Sequence, residues 1–302
     1  MVADCIESDM HEKQKSAFTQ SVKGISFFQS QFLKSQKFIA MKLTLYQADA
    51  FTEKVFSGNP AAVIPLNHWL PDATMQQIAG ENNLSETAFF VPDENGFHLR
   101  WFTPIVEVDL CGHATLASAH ILFNHLNYDQ PEIRFQTQSG LLTVKRNGEW
   151  LTLNFPADPP VKVETPPTME AVLGILPTVT LKGKIKYLAL LPSQELVEEC
   201  LPDFSQMKKL DAQGVIITAR GNDVDFVSRF FAPNAGIDED PVTGSAHCLL
   251  VPYWSEKLGK NEFTARQVSA RGGFLQCKLL GDRVEMSGRA VTYLKGDIDI
   301  AE

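Results

Sequence analysis

The chain has 302 residues, of which 44% are hydrophobic and 21% are charged, and its formal net charge at pH 7 is −9. This length suits one large domain or two domains of ordinary size, and we favour two. The composition is typical of a soluble globular protein, and no apolar run approaches the roughly 18 residues of a membrane span. Because nucleic-acid binding needs a positive field, the negative charge disfavours a nucleic-acid partner.

The five cysteines are scattered and form no CxxC pair. Their odd number and spacing argue against a disulfide framework and a structural zinc site, and favour a reducing, cytoplasmic environment. The sequence also lacks a Walker-type phosphate loop, a GxGxxG motif and an HExxH motif. We therefore expect no metal and no cofactor, so that any chemistry comes from side chains alone.

Residues 1–40 differ from the rest, because they carry lysines among Gln, Ser and Phe and contain no arginine. Met41 resembles a second start, since a patterned strand begins there. A targeting signal is the alternative, but a transit peptide would carry arginine and a signal peptide a continuous apolar stretch. We expect residues 1–40 to form a poorly ordered extension.

From Met41 onward, strand patterns alternate with helical spacing. A hairpin turn is predicted at Asn147 and Gly148, because this dipeptide is a strong hairpin signal. The pattern predicts strands at residues 42–48, 61–64, 84–91, 99–102, 187–191, 215–218 and 225–231, and helices after Pro71, at 114–123 and around 170–173. This mixture indicates an α+β fold with an N-terminal half at 41–157 and a C-terminal half at 158–302.

An internal repeat supports this division. Residues 100–104 (RWFTP) are echoed by residues 229–233 (RFFAP), and residues 112–114 (GHA) are echoed by residues 244–246 (GSA). Each copy has the order strand, acidic loop, glycine turn and helix. Two ordered echoes at nearly equal spacing favour a duplication. A duplicated fold has a cleft between its halves, and such clefts commonly bind ligands.

Each glycine turn opens a helix. Residues 114–123 are nearly all small or apolar, a pattern typical of a helix that is buried on every side. The free backbone N–H groups at such a helix start favour a carboxylate or phosphate. We therefore predict that Gly112 and Gly244 bind an anionic substrate without the help of a lysine. The alternative is that both are plain turns, with His113 and Ser245 as capping residues.

Glu86 is the candidate general base. In a strand at residues 84–91, successive side chains point to opposite faces, so Glu86 lies on the same face as Leu84, Ala88 and Phe90. Burial among apolar neighbours disfavours the charged carboxylate and suits it to proton transfer near neutral pH. The alternative is a different register, with Glu86 in solvent at a sheet edge.

Two residues at the glycine turns can assist Glu86. Asp240 precedes Gly244 and can either cap the second helix or orient a proton donor. His113 is the histidine at a glycine turn, and it can shuttle a proton or donate to a substrate oxygen. The other acidic residues of loops 107–109 and 238–239 are expected to be turn residues or solvated charges.

These residues are also the ones by which the sequence resembles the PhzF family, the phenazine biosynthesis-like isomerases of the diaminopimelate-epimerase fold. The resemblance runs from Met41 to near the C-terminus. It depends on residues 49–63 (DAFTEKVFSGNPAAV), 83–89 (NLSETAF), 100–118 (RWFTPIVEVDLCGHATLAS), 239–247 (EDPVTGSAH) and 269–273 (SARGG).

The resemblance implies two pseudo-symmetric halves, each a curled β-sheet or barrel around a central helix, and a homodimer that needs no metal or cofactor. It implies an isomerase that moves a proton between carbons of a small carboxylate-bearing metabolite, as the named member does with a dihydro-hydroxyanthranilate. The implied catalytic residues are Glu86, His113, Asp240 and Ser245, and the implied substrate-binding residues are Asn59, Gly112 and Gly244.

Two other functions stay open. The same fold includes racemases and epimerases of amino or hydroxy acids that use one cysteine at each glycine turn. Here Cys111 precedes Gly112, whereas no cysteine precedes Gly244 and Cys248 follows it. A helix N-terminus lowers the pKa of a thiol, which keeps Cys111 as a candidate. The remaining alternative is a protein that binds a ligand in the cleft without turnover.

Overall fold

A computed structural model of the chain describes residues 40–301. The predicted extension at residues 1–40 lies, apart from its last residue, outside the described residues. Residues Leu43–Ile298 form one compact unit. No helix in this part of the chain is long and apolar enough to cross a membrane.

The described chain is mainly β-structure. Its strands are β1 (Ala40–Ala50), β2 (Asn59–Pro65), β3 (Glu86–Asp93), β4 (Gly96–Phe102), β5 (Glu107–Val108), β6 (Glu132–Thr137), β7 (Gly140–Asn147), β8 (Trp150–Pro156), β9 (Val161–Lys162), β10 (Val179–Lys182), β11 (Lys186–Leu190), β12 (Gly214–Arg220), β13 (Phe226–Ala232), β14 (Ile237–Asp240), β15 (Glu262–Gln267), β16 (Gly273–Leu280), β17 (Arg283–Gly288) and β18 (Ala290–Ala301). Its helices are α1 (Asp72–Asn82), α2 (Gly112–His125), α3 (Met169–Leu173), α4 (Gln194–Glu198), α5 (Phe204–Met207) and α6 (Gly244–Leu258), with a 3₁₀ turn at Pro233–Ala235.

The strand pairing repeats along the chain. In the first series, β3 runs parallel to β2 and antiparallel to β4, β4 pairs with β5 and β6, and β6, β7 and β8 form an antiparallel meander. The second series repeats this scheme strand for strand. There β12 runs parallel to β11 and antiparallel to β13, β13 pairs with β14 and β15, and β15, β16 and β17 form an antiparallel meander. The two series join where β8 pairs antiparallel with β17. The predicted α+β class with a curled sheet is confirmed, whereas the boundary at residue 157 stays a prediction.

Helix α2 lies at the centre of the first series. It packs on β2, β3 and β8, and its residues from Gly112 to Ala119 and from Ile121 to Phe123 are all buried. This burial on every side is what its apolar sequence predicts, and it allows a short helix to be stable in the fold. Helix α6 packs on β16 and β17 in the second series.

Several local predictions differ from the structure by one or two residues. Strand β3 begins at Glu86 rather than Leu84, because Asn83 takes a left-handed conformation with φ of 49° and ends α1. In the β7–β8 hairpin Asn147 pairs with Trp150, so the two-residue loop is Gly148 and Glu149. Gly148 has a φ of 60°, which places the glycine first in the loop instead of second.

The repeated motif also contains a repeated ion pair. Arg100 binds both oxygens of Glu107, with Nε and Nη2 each 2.7 Å from their acceptors. Arg229 binds Glu239 in the same way, at 2.7 and 2.9 Å. The expectation that Glu107 and Glu239 are turn residues or solvated charges is therefore wrong. Each carboxylate lies opposite a phenylalanine, Phe102 or Phe231, and reaches the arginine two positions earlier on the neighbouring strand, a contact that local spacing does not reveal.

The starts of α2 and α6 touch each other through glycine. A Cβ atom built on Gly112 would lie 2.9 Å from the Cα of Gly244, and a Cβ on Gly244 would lie 3.0 Å from the Cα of Gly112. Both neighbours are backbone atoms, which cannot rotate away as a side chain can. Hydrogen is therefore the only side chain that allows these two helix starts to approach so closely.

This contact leads to a stability prediction. Gly112→Ala should lower the free energy of unfolding by about 1–3 kcal/mol, because the new methyl group overpacks the contact between the helix starts. Gly80→Ala on α1 is the matched control, since its Cβ would lie 3.5 Å from the Pro104 carbonyl oxygen, an ordinary contact. The control should be neutral or stabilising by up to about 1 kcal/mol. Denaturant unfolding measures both, and equal stability of the two variants would contradict the assigned contact.

Candidate active site

A cavity of about 350 Å³ opens at the touching starts of α2 and α6. Most of the site residues predicted from sequence line it, although they come from distant parts of the chain. The predicted residues on its wall are Glu86, Gly112, His113, Asp240, Gly244 and Ser245. Asn59 is the predicted residue that does not line this cavity.

Glu86 and His113 face each other on the wall of the cavity. The Oε2 atom of Glu86 lies 3.2 Å from the Nε2 atom of His113. Both atoms are buried, and neither has a well-aligned hydrogen-bond partner among the described residues. Glu86 takes this position because β3 directs it to the same face as Ala88 and Phe90, which belong to the core. Glu86 Oε2 is therefore available to a ligand as a hydrogen-bond acceptor, and His113 Nε2 as a donor.

Cys111 contacts His113 on the other ring nitrogen, with Sγ 3.5 Å from Nδ1. Burial, and then the charge of Glu86, raise the pKa of the Cys111 thiol to about 11. Burial lowers the pKa of His113. Its acidic neighbours Cys111 and Glu86 outweigh this effect and raise the pKa well above its ordinary value. These neighbours favour the protonated form of the buried His113 ring, with Glu86 facing Nε2 and Cys111 facing Nδ1.

Glu86, Cys111 and His113 also form the set that comes nearest to a metal site in the described chain, since one potential ligand atom from each lies within 4.8 Å of the others. However, Cys111 faces Nδ1 and Glu86 faces Nε2, so the two acidic groups lie at different edges of the imidazole ring. Metal ligands converge on one point. This arrangement is instead a chain of proton donors and acceptors.

Asp240 lies at the end of β14 and is almost fully buried. Its two carboxylate oxygens accept hydrogen bonds from the Asn59 side-chain amide and the Thr243 hydroxyl, each at 2.6 Å. The pKa of Asp240 is raised to about 6, mainly by burial and also by the charge of Glu86, although the charge of His113 and these hydrogen bonds oppose the rise. Asp240 does not cap α6, because Thr243 is the N-cap residue.

Asn59 is predicted to bind the substrate, but in the structure it lies behind Asp240 and not on the cavity wall. Its side chain is fully buried behind Asp240, where its amide nitrogen also donates to the Val242 carbonyl oxygen at 2.9 Å. It therefore fixes the orientation of the Asp240 carboxylate and lies away from the cavity wall. The sequence places Asn59 in a turn far from Asp240, so only the tertiary fold reveals this contact.

Gln267 is a supporting residue that the sequence does not indicate. It is fully buried at the end of β15, and its side-chain amide donates to the Asp240 carbonyl oxygen at 2.6 Å. Its side-chain oxygen accepts from the Thr243 backbone N–H at 2.8 Å. Gln267 therefore holds the loop between β14 and α6, and thereby the start of α6. A single glutamine in a strand pattern carries no signal of this role.

Neither helix start is capped by a side chain. Cys111 is the N-cap of α2 and Thr243 is the N-cap of α6, and neither makes a side-chain capping hydrogen bond. The alternative in which His113 and Ser245 act as capping residues therefore has no support in the geometry. First-turn backbone N–H groups without a capping side chain are available to an anion in the cavity.

Lys186 is the second residue that sequence reasoning missed. It is the first residue of β11, only 7% of it is exposed, and it lines the same cavity. Burial lowers the pKa of its ammonium group, although the charges of Cys248, Asp158 and Asp240 oppose this effect. The cavity at the two helix starts therefore contains a lysine that the sequence analysis did not expect, and anion binding by Gly112 and Gly244 stays a prediction. A lysine at the start of an otherwise apolar strand reads from sequence as a solvated strand end.

Known proteins are similar to this chain over most of the described residues. The sequence model of the PhzC-PhzF family, described as phenazine biosynthesis-like protein, matches residues 48–296. A Pseudomonas aeruginosa protein named as an uncharacterized isomerase is 52% identical over 263 residues, which are 86% of this chain and 100% of that protein.

Solved structures are similar over the same region. A crystal structure of a phenazine biosynthesis protein of the PhzF family from Enterococcus faecalis has a TM-score of 0.83 and 48% identity, covering 85% of this chain and 99% of that chain. A hydroxyproline epimerase from Agrobacterium vitis has a TM-score of 0.60 and 11% identity, covering 86% of this chain and 93% of that chain. The second similarity concerns the fold alone.

The raised pKa of Asp240 predicts a pH-dependent stability. A carboxyl group whose pKa rises from 3.8 to about 6 on folding contributes stability that is present at low pH and lost as the pH rises through this range. Asp240→Asn cannot ionise, and its amide can still accept from Asn59 and donate to Thr243. The melting temperature of this variant, relative to the unsubstituted protein, should therefore increase between about pH 4 and pH 6 and level off above.

Asp203→Asn is the control for this prediction. Hydrogen bonds from the Ser205 hydroxyl and the Gln206 backbone lower the pKa of the exposed Asp203, so its titration lies below the tested range. Its melting temperature relative to the unsubstituted protein should stay constant from about pH 4 to pH 7. A constant difference for Asp240→Asn as well would show that Asp240 does not titrate near pH 6 in the folded protein.

Proposed function

The chain belongs to the PhzC-PhzF family of phenazine biosynthesis-like proteins, and on this premise we propose that it is an isomerase that moves a proton between carbons of a small carboxylate-bearing substrate. Glu86 is the acid/base in this proposal. Its 52% identical relative is named an isomerase, which supports the reaction class.

One observation carries the proposal: the contact between the Glu86 and His113 side chains in a cavity of molecular size. The facing oxygen and nitrogen lie 3.2 Å apart and have no well-aligned partner among the described residues. A general base needs an acceptor atom that can reach the proton of a bound substrate. A buried carboxylate held by an imidazolium, with nothing else bound to that oxygen, meets this need.

The proposed reaction has two proton transfers. Glu86 removes a proton from one carbon, so that the C–H bond breaks, an O–H bond forms on Glu86, and the electron pair delocalises over the unsaturated substrate. Glu86 then returns the proton to a second carbon, and the electron pair forms the new C–H bond. The substrate keeps its oxidation state throughout, so the reaction needs no redox cofactor and we propose that the enzyme works without one.

The other residues hold the substrate and tune the proton transfer. His113, with its raised pKa, stabilises the Glu86 carboxylate and can donate to a substrate oxygen as negative charge develops. The uncapped starts of α2 and α6, with Gly112 and Gly244, offer backbone N–H groups to the substrate carboxylate. Asp240 orients the ligand near Ser245, which is partly exposed on the cavity wall.

The cysteine-based mechanism has less support. A racemase of that kind needs two thiols that can each become a thiolate. Burial first of all raises the pKa of Cys111 to about 11, and burial likewise raises the pKa of Cys248 to about 12. Only Cys111 lies on the cavity wall, because Cys248 is buried within α6.

The proposal extends to the setting of the enzyme. The four described cysteines, Cys111, Cys200, Cys248 and Cys277, are free and buried, which supports a reducing, cytoplasmic location. We also propose the homodimer that the family resemblance implies. Light scattering coupled to size-exclusion chromatography measures its mass directly.

The proposed role of Glu86 predicts a loss of proton exchange. The protein is incubated in D₂O with a panel of cyclic and α-substituted carboxylates, and NMR measures enzyme-dependent exchange of carbon-bound hydrogen. For a panel member that exchanges, Glu86→Gln should lower the rate by at least about 10²-fold, because the amide cannot accept the proton. Glu81→Gln is the matched control, since Glu81 is exposed at the end of α1.

Two outcomes would contradict the proposal. If Glu86→Gln exchanges as fast as Glu81→Gln, then Glu86 is not the base. If ligands of the panel bind but none exchanges, then the protein is a ligand-binding protein without turnover. Loss of exchange in Cys111→Ala together with full exchange in Glu86→Gln would instead favour the cysteine-based alternative.

A further inference from the structure

The side chain of Lys186 lies in the cavity without a counterion bonded to it. Within residues 41–300, no side-chain or backbone oxygen accepts a hydrogen bond from its Nζ atom or forms an ion pair with it. Its close partner is the ring of Phe230, whose centroid lies 5.7 Å from Nζ. Phe230 is itself 4% exposed and lines the same cavity.

A buried ammonium group of this kind costs stability. Transfer of a charge out of water is unfavourable unless it is paired, and the attraction of one aromatic face compensates for only part of the loss. An apolar residue of similar length would satisfy the same position in the fold. The ammonium group therefore indicates a ligand that supplies the missing negative charge.

The surrounding backbone holds Lys186 at the cavity. Its neighbour in the parallel ladder is Gly214 of β12, and its carbonyl oxygen accepts from the Gly183 N–H at 2.9 Å. A Cβ atom on Gly214 would lie 2.9 Å from the Cε2 atom of Phe230. Gly214 therefore leaves the space that the Phe230 ring occupies beside Lys186.

The cavity thus has two chemically different groups of ionisable residues. Glu86 and His113 provide the proton-transfer pair, whereas Lys186 provides an unpaired cation next to an aromatic ring. The uncapped starts of α2 and α6 lie on the same wall. A ligand that neutralises Lys186 needs an anionic oxygen group, and its carbon skeleton then packs against Phe230.

We infer that Lys186 is a substrate-binding residue that pairs with the carboxylate of the substrate while Phe230 packs against the adjoining, planar carbon skeleton. This inference rests on the proposed function in taking the ligand to be the substrate. It assigns Lys186 to binding and not to proton transfer. It also makes Lys186 a determinant of specificity for carboxylates over their uncharged amides.

A pair of matched ligands tests the assignment. 4-Fluorobenzoate and 4-fluorobenzamide share a planar ring and differ in charge, and ¹⁹F NMR titration measures the binding of each. The unsubstituted protein should bind the carboxylate at least about tenfold more tightly than the amide, which is the effect of one charge-assisted contact. Lys186→Met should lower this preference by at least about tenfold, with the affinity for the amide unchanged, while the uncapped starts of α2 and α6 account for any preference that is left.

Lys184→Met is the matched control, because Lys184 precedes the same strand and is exposed. It should keep the full preference for the carboxylate. Lys186→Met should also unfold at the same or a higher temperature than the unsubstituted protein, because it removes a buried charge. Equal carboxylate preference in Lys186→Met and Lys184→Met would overturn the assignment, as would a clear loss of stability that accounts for the weaker binding.

The test separates this assignment from the proposed function. Glu86→Gln should keep the carboxylate preference even where proton exchange is lost, because binding at Lys186 does not need the base. If Glu86→Gln exchanges normally while Lys186→Met loses the preference, the proposed base is wrong and the Lys186 assignment stands.

Incubation with pyruvate and borohydride gives a further check. A reduced imine on Lys186, seen by mass spectrometry, would show that Lys186 is a nucleophile and would overturn its assignment to binding.

Discussion

The close contact between Gly112 and Gly244 is the constraint on which the site depends. Because neither residue has a side chain, two helix starts from distant parts of the chain approach within backbone contact. This approach brings His113 and Ser245, which follow the two glycines, to the wall of one cavity. The glycines are therefore explained by packing between helices, in addition to the backbone N–H groups that they leave accessible.

Burial of charge is the second common feature of the site. Burial disfavours the ionised forms of Cys111, Asp240 and Lys186, and it opposes the protonation of His113. The contact of His113 with Glu86 offsets part of this effect, and Asn59 and Thr243 support the carboxylate of Asp240. Lys186 has no hydrogen-bonded counterion among the described residues, although the charges of Cys248, Asp158 and Asp240 favour its protonated form. The site therefore contains buried polar groups that lower the stability of the fold and that a bound ligand can pair with, as is common in functional sites.

Much of the fold follows from the sequence because its signals are local. The run of small and apolar residues predicts the buried helix α2, and the spacing of Glu86, Ala88 and Phe90 places the carboxylate on the core-facing side of β3. The repeated motif predicts the repeated strand pairing. Contacts between distant residues are different: Asn59 with Asp240, Gln267 with Thr243 and Lys186 with Phe230 each depend on tertiary packing. No spacing along the chain encodes them.

The protonation state of His113 tests the Glu86–His113 pair most directly, because it needs no knowledge of the substrate. Side-chain ¹⁵N NMR across a pH titration reports whether one or both ring nitrogens carry a proton. The charge of Glu86 should keep both nitrogens protonated well above pH 6.5, and the pKa should fall in Glu86→Gln, where burial opposes the imidazolium with less compensation. A singly protonated ring at neutral pH, unchanged in Glu86→Gln, would contradict the pairing on which the proposed proton transfer depends.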